Sequence, residues 1–241
     1  MSRHSKWAKI KRQKTATDVK RGQLFSKLIR AITVAAQAGG GDLEANPRLR
    51  LVVDRALAAN MPKENVTRAI ERAAGAGTES TTALTLEAYG PGGAALLIDT
   101  VTDNRNRTVA EVRRILADYG GSLGESGSVA WQFERRGLVM VENTENPDAM
   151  ELAAIDAGAL DIEREDGNLD ISTPPERAKD VANALRGAGG NVASMQLTNM
   201  PKQWMQLDSA ATEKLANLME ELEEHDDVIE VTTNAAPPEG A

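Results

Sequence analysis

The first thirty residues concentrate basic side chains of the kind that bind phosphate. Between Met1 and Arg30 the sequence has ten lysines and arginines and one acidic residue, Asp18, which gives this basic stretch a net charge of +9. The whole chain has a formal net charge of −8, so the rest of it carries −17. A basic segment on an acidic body is typical of a protein that meets a polyanion with one surface. The basic stretch therefore predicts contact with nucleic acid.

An indole and two further arginines extend this predicted site. Trp7 lies among the cations, where it could stack on an unpaired base or pack against a neighbouring helix. Arg105 and Arg107 precede a helix start predicted at Thr108, where backbone donors favour an anion; pairing with carboxylates of the body is the alternative. The predicted nucleic-acid-binding residues are Arg3, Lys6, Trp7, Lys9, Lys11, Arg12, Lys14, Lys20, Arg21, Arg105 and Arg107.

The residue types needed for common catalytic and metal sites are scarce. The chain has no cysteine and only two histidines, His4 and His225. This composition excludes thiol nucleophiles and cysteine-ligated metals. His225 falls at an acidic helix end, where a cation complements the helix dipole. We therefore predict a protein that is not an enzyme and has no catalytic residue, metal site or cofactor.

The hydropathy pattern gives no sign of a membrane partner. No apolar run is long enough to cross a bilayer, and the N-terminus lacks the apolar segment of a secretory signal. We expect a cytoplasmic location.

Amphipathic patterns predict three helices after a basic arm, which we define as residues 1–17. The first helix is expected from Asp18 to Ala38, with an apolar stripe that includes Leu28 and Ile32. Asn46 and Pro47 are a cap and a first-turn proline for the second helix, and Pro62 opens the third. The sequence predicts a small helical bundle.

After residue 80 the pattern changes to strands and helices. Residues 84–134 predict the order ββαβ, with residues 129–133 as the last strand, and residues 138–200 predict βαββαβ, the ferredoxin-like plan. A final helix and strand near the C-terminus have no neighbouring partners, so we assign them to the first unit. The predicted fold class is α+β, with a three-helix bundle and two ferredoxin-like domains, one inserted in the other. The predicted domains are residues 1–78 (arm and bundle), 80–136 plus 203–234 (split domain), 137–202 (inserted domain) and 235–241 (disordered tail).

Several long motifs resemble those of the YebC family. They are His4-Ser5-Lys6-Trp7, Gly39-Gly40-Gly41-Asp42, Glu44-Ala45-Asn46-Pro47-Arg48-Leu49, Met61-Pro62-Lys63, Tyr89-Gly90-Pro91-Gly92-Gly93, Asp103-Asn104-Arg105-Asn106-Arg107-Thr108 and Gly120-Gly121-Ser122-Leu123-Gly124 before Gly127-Ser128-Val129. The resemblance spans nearly the whole chain. Position 3 differs from the family pattern, with Arg3 in place of the usual glycine.

The resemblance implies a helical N-terminal domain, two α+β domains and a non-enzymatic role in gene expression. Members of the family are assigned either as DNA-binding transcriptional regulators or as ribosome-associated translational activators. A basic arm with one tryptophan favours folded RNA, because unpaired bases can stack there. The expected partner is thus ribosomal RNA, on the ribosome, or duplex DNA. The alternative hypothesis is a regulator that senses a small molecule through its ferredoxin-like domain.

Overall fold

The computed structural model describes residues 18–74, 82–142, 144, 146–165 and 167–237. Its elements, numbered in chain order, are α1 Asp18–Gly39, α2 Pro47–Ala58, α3 Lys63–Ala74, β1 Thr82–Tyr89, β2 Ala95–Thr102, α4 Arg105–Asp118, β3 Ser122–Leu123, β4 Phe133–Glu142, α5 Pro147–Asp156, β5 Asp161–Glu165, β6 Asn168–Thr173, α6 Ala178–Gly187, β7 Asn191–Pro201, α7 Ser209–Glu224 and β8 Val228–Thr233.

The first three helices share an apolar core. Asn46 caps α2, because its side-chain oxygen accepts a hydrogen bond from the Leu49 amide at 3.0 Å. The Asn46 amide group also donates to the carbonyls of Ala35 and Gly40, each at 2.8 Å, and so ties the end of α1 to the start of α2. The predicted stripe residues Leu28 and Ile32 are buried in this core. The three predicted helices are confirmed.

The first four-stranded sheet has the order β3-β1-β2-β8, and all of its neighbouring strands are antiparallel. Helices α4 and α7 bury one of its faces through residues such as Leu116 and Leu218. The glycine-rich turn between β1 and β2 packs against the same layer, since a Cβ added at Gly92 would lie 2.7 Å from Leu207. This turn therefore serves as a hairpin connection beneath apolar side chains.

The second four-stranded sheet has the order β5-β6-β4-β7 and is also fully antiparallel. Its chain order is β4-α5-β5-β6-α6-β7, and α5 and α6 cover one face through a core that includes Met150 and Leu185. The α+β class, with two antiparallel sheets, is thus confirmed. The description of these units as two ferredoxin-like domains, one inserted in the other, stays a prediction.

Three details of the predicted organisation need correction. Residues 130–132 form a 3-10 turn, and Phe133 instead begins the long strand β4 of the second sheet. The predicted boundary between residues 136 and 137 therefore falls inside a strand. The first sheet keeps the predicted order ββαβ followed by a helix and a strand, but its third strand is β3, residues 122–123, and not residues 129–133.

The predicted disordered tail is wrong for its first residues. Ala235 and Ala236 are buried, and the Ala236 amide donates to the carbonyl of Met205 at 2.8 Å. This pairing covers the end of the first sheet. Residues 238–241 lie outside the described part of the chain.

Candidate nucleic-acid interface

Most residues of the predicted interface lie outside the described residues. This is the case for Arg3, Lys6, Trp7, Lys9, Lys11, Arg12 and Lys14. The backbone of Lys20 and Arg21 lies in the first turn of α1, but the structure does not describe their side chains. Their contact with nucleic acid stays a prediction.

Two cations of the basic stretch point to the body of the protein. Lys27 is 7% exposed, and its ammonium group donates to the carbonyl oxygen of Glu223 at the end of α7. Burial lowers the pKa of Lys27, while the surrounding carboxylates, Glu223 foremost, act in the opposite direction. Arg30, one turn further along α1, donates to the carbonyl of Asp226 and to Asp227 Oδ1, both at 3.2 Å. These two side chains hold α1 against the acidic corner between α7 and β8.

Asp227 is the centre of this corner. Its side chain is 5% exposed and accepts hydrogen bonds on Oδ2 from Arg107 at 3.0 Å and from the Thr108 hydroxyl at 2.7 Å. Burial alone would raise the pKa of Asp227, but the hydrogen bonds from Thr108 and Arg107 outweigh it and hold the pKa below its usual range. The carboxylate thus joins α1, α4 and β8.

The start of α4 differs from the prediction. Asn104 is the N-cap, with its Oδ1 accepting from the Arg107 amide at 3.1 Å, so Arg105 and Arg107 lie in the first turn and not before it. Thr108 is buried, and its hydroxyl is taken by Asp227 instead of capping the helix. Arg107 also pairs with Asp103 at 2.7 Å. Arg107 thus pairs with carboxylates, which was the alternative to binding a phosphate. Arg105 is exposed, and no ion pair joins it to another described residue.

His225 takes part in the same corner. Its Nδ1 accepts a hydrogen bond from the Asp227 amide at 3.1 Å, so Nε2 is the donor to Glu111 at 2.8 Å. Both ring nitrogens are therefore used: Nε2 links the end of α7 to α4, and Nδ1 binds the turn that leads into β8. This geometry explains His225 as a structural residue.

The exposed face of α3 is not strongly basic. The exposed residues of α3 include Lys63, Arg68 and Arg72 but also Glu64 and Glu71, and Arg68 pairs with Glu64 at 3.4 Å. A helix that enters the major groove needs an exposed set of donors without opposing carboxylates. The helix α3 does not offer such a set.

The glycine-rich loop after β3 is ordered by a carboxylate that no sequence motif predicted as a site residue. Glu87 on β1 accepts hydrogen bonds from the backbone amides of Gly127, Val129 and Ala130 at 2.6, 2.7 and 2.7 Å. Burial would raise the pKa of Glu87, but these three amide donors lower it overall. The glycines around Glu125 were the sequence signal for this structured loop.

A cleft of about 910 Å³ lies between the bundle and the two sheets. Its walls carry Arg48 and Arg55 from α2, Asp99 from β2 and Arg135 from β4. Burial raises the pKa of Asp99, which also accepts a hydrogen bond from the Thr85 hydroxyl at 2.5 Å. The cleft therefore combines cationic side chains with two carboxyl groups of altered acidity, Asp99 and Glu87.

The described residues contain neither a membrane-spanning helix nor a candidate metal cluster. None of the helices they contain is long and apolar enough to cross a membrane. Across residues 18–74, 82–142, 144, 146–165 and 167–237, no group of three or more His, Asp or Glu side chains could hold a metal ion.

Comparison with known proteins identifies relatives along nearly the whole chain. A protein of Dictyoglomus thermophilum is 46% identical over 242 residues, which cover 99% of this chain and 97% of the relative. A protein of Thermus thermophilus is 47% identical, with 98% and 97% covered. Both relatives are named probable transcriptional regulatory proteins.

A solved structure and two family models agree with these relatives. The crystal structure of a conserved hypothetical protein from Aquifex aeolicus has a TM-score of 0.80 and 40% identity, and 92% of this chain and 93% of that chain are covered. Residues 5–76 match the model described as the TACO1/YebC protein N-terminal domain, and residues 81–235 match the TACO1/YebC second and third domain. The chain therefore belongs to the TACO1/YebC family.

Proposed function

We propose that this protein is a non-enzymatic regulator of gene expression that binds nucleic acid through its basic N-terminal segment. The observation that carries the proposal is the charge division, +9 on residues 1–30 against −17 on the rest. Because Lys27 and Arg30 are used internally, the cations left for phosphate are those of residues 1–21. The names of the relatives, which describe regulators and not enzymes, support the same class.

Ribosomal RNA is the target that we propose over duplex DNA. Base-specific reading of a duplex requires a helix with free donors in the major groove. In the described bundle, α3 is poorly suited to this role, because the carboxylates of Glu64 and Glu71 on its exposed face would repel the DNA phosphates. A basic segment with Trp7 is suited to irregular RNA, where phosphates and unpaired bases lie close together.

A competition experiment tests this proposal. We expect the full-length protein to co-sediment with ribosomal large subunits and to stay bound when duplex DNA is added in excess. A variant with Arg3, Lys6, Lys9, Lys11, Arg12 and Lys14 changed to Gln should lose this binding. A matched control loses the same charge and should keep ribosome binding. It changes six exposed cations elsewhere to Gln: Lys63, Arg72, Arg113, Lys179, Arg186 and Lys214. Release of the ribosomes by competitor DNA would instead favour a DNA-binding regulator.

The cleft favours a second candidate function, a regulator that senses a small molecule. Its volume of about 910 Å³ lies within the range of known ligand pockets. The cleft lies between the bundle and both sheets, so a ligand bound there would not lie within a single ferredoxin-like domain. The lining residues Asp99 and Arg135 would suit a ligand with both a donor and an anionic group.

A thermal-shift screen tests this second candidate. A metabolite at a hundred times its Kd should stabilise the protein by about 2.7 kcal/mol. The shift should disappear in Asp99→Asn but persist in Asp156→Asn, a variant at the end of α5, outside the cleft lining. The absence of any shift across a broad metabolite set would reject this candidate.

A further inference from the structure

Two aromatic side chains, Tyr89 at the end of β1 and Trp131 in the 3-10 turn, both contact the loop that Glu87 anchors. Trp131 is 67% exposed and Tyr89 is 36% exposed, although aromatic residues make up only 3% of the chain. Large aromatic side chains are normally buried to a much greater extent, so a tryptophan with two thirds of its surface in water requires an explanation.

Both rings are held in place by the same acceptor. Trp131 Nε1 donates to the carbonyl oxygen of Ser128 at 3.0 Å, and the Tyr89 hydroxyl donates to this oxygen at 3.2 Å. The Ser128 carbonyl lies in the loop whose neighbouring amides bind Glu87. The rings therefore lose little conformational entropy on binding a ligand, because the loop already orders them.

A cation completes the arrangement. The Lys202 ammonium group donates to the carbonyl oxygen of Trp131 at 2.7 Å, and the Lys202 amide donates to the carbonyl of Gln132 at 2.8 Å. Lys202 is exposed, and it forms no ion pair with any residue in the described part of the chain. The positive charge at the Trp131 backbone would repel a cationic ligand and attract a phosphate.

We propose that Trp131, Tyr89 and Lys202 form a second nucleic-acid contact, in which an unpaired base stacks on the indole and its phosphate lies at Lys202. This inference rests on the proposed nucleic-acid-binding function, and it places a contact on the acidic body, remote in sequence from the basic stretch. Stacking on an aromatic side chain tolerates any base, since every base has a π face. The contact should therefore select single-stranded over duplex segments and not a particular sequence. The exposed carboxylate of Glu125 in the same loop opposes the phosphate and should weaken binding.

Fluorine NMR of full-length protein labelled with 5-fluorotryptophan tests this contact. The three tryptophans give three signals, and the Trp131 signal is assigned by its loss in Trp131→Phe. The probes are a short oligouridylate and an abasic strand of the same length. We expect the Trp131 signal to shift with oligouridylate but not with the abasic strand, because only the former has bases to stack.

Affinity measurements on single variants complete the test. Trp131→Ala should weaken oligouridylate binding about five- to 150-fold, the range found for loss of one stacked base, and Trp131→Tyr should restore most of it. Lys202→Gln should weaken binding, and Glu125→Gln should strengthen it. Unchanged melting temperatures would show that these exposed positions do not act through folding.

The outcomes separate this inference from the proposed function. If oligouridylate binds through the basic stretch while the Trp131 signal stays unshifted, the second contact does not exist and the proposed function stands. If neither strand binds, both are rejected. A Trp131 signal that moves with protein concentration alone would make this face a self-association surface and overturn the inference.

Discussion

At the scale of single residues, Asp227 explains why the positions of cations in a sequence do not reveal their roles. Arg30 and Arg107 look like phosphate-binding residues in the sequence. In the structure both pair with Asp227, Arg30 at 3.2 Å and Arg107 at 3.0 Å. No local pattern connects positions 30, 107 and 227, because the fold brings them together from three distant segments. The abundance of carboxylates in the body was the only sequence signal for such pairing.

Removal of the Asp227 charge should destabilise the protein. Asp227→Asn removes the negative charge between Arg30 and Arg107 and replaces one of the two acceptor oxygens by a donor. We expect a loss of about 1.5–3 kcal/mol, the range for hydrogen bonds to charged groups. The matched control is Asp103→Asn, which removes a partner of Arg107 that is 46% exposed. Exposed pairs contribute only about 0–1 kcal/mol, so the control should unfold almost like wild type in urea. Equal losses in the two variants would contradict the central position of Asp227.

The stabilising effect of Asp227 should depend on pH in a defined direction. Its folded-state pKa lies below that of an unfolded aspartate, about 3.9, so its contribution is complete above this pH and is lost as the pH falls through the folded pKa. The difference in unfolding free energy between wild type and Asp227→Asn should be constant near neutrality and shrink below about pH 4. Urea unfolding of both proteins at a series of pH values measures this difference in free energy. A difference that grew on acidification would reverse the sign assigned here.

At the scale of elements, the helices followed from the sequence more closely than the strands did. Asn46, Pro47 and the apolar stripe of α1 are local signals, and the structure shows the helices they predict. The alternation of Val129, Trp131 and Phe133 predicted a strand, but residues 130–132 form a 3-10 turn because Glu87 binds the amides of Val129 and Ala130. A contact between residues more than forty positions apart is invisible in the local pattern.

Glu87 should control the order of the loop at residues 124–130. Glu87→Gln replaces one acceptor oxygen by a donor, so at least one of the three amide hydrogen bonds is lost. We expect hydrogen exchange at Gly127, Val129 and Ala130 to accelerate about tenfold or more, because charge-assisted hydrogen bonds are worth about 1.5–3 kcal/mol. The control Glu125→Gln changes an exposed carboxylate of the same loop and should leave these rates unchanged. Protection that survives in Glu87→Gln would show that the loop is ordered by other contacts.

At the scale of the whole molecule, ion pairs connect the helical bundle to the acidic body. Arg30 reaches Asp227, and Arg55 on α2 pairs with Glu230 on β8 at 3.2 Å. This junction uses cations of the N-terminal domain, while those of residues 1–21 precede it in the chain. The sequence predicted the charge division but not which cations would be used internally.

Loss of the junction should loosen the molecule without unfolding its domains. We expect Arg30→Ala/Arg55→Ala to show a larger radius of gyration in small-angle X-ray scattering, with an increase that is greater at high salt, because screening weakens the remaining attraction. The control Arg68→Ala/Arg114→Ala removes two pairs that lie within single helices, with Glu64 and Asp118. An unchanged radius in the junction variant would mean that these two ion pairs are not needed to hold the bundle against the body.

The salt dependence of binding tests the central claim most directly. If the six cations of the basic arm neutralise about six phosphates, a plot of log K against log salt on duplex DNA should have a slope of about −5. The variant with these six cations changed to Gln should have a slope close to zero, and the matched control with six exposed cations changed elsewhere should keep the wild-type slope. Equal slopes for wild type and the arm variant would contradict the claim that the basic N-terminal segment is the phosphate-binding surface.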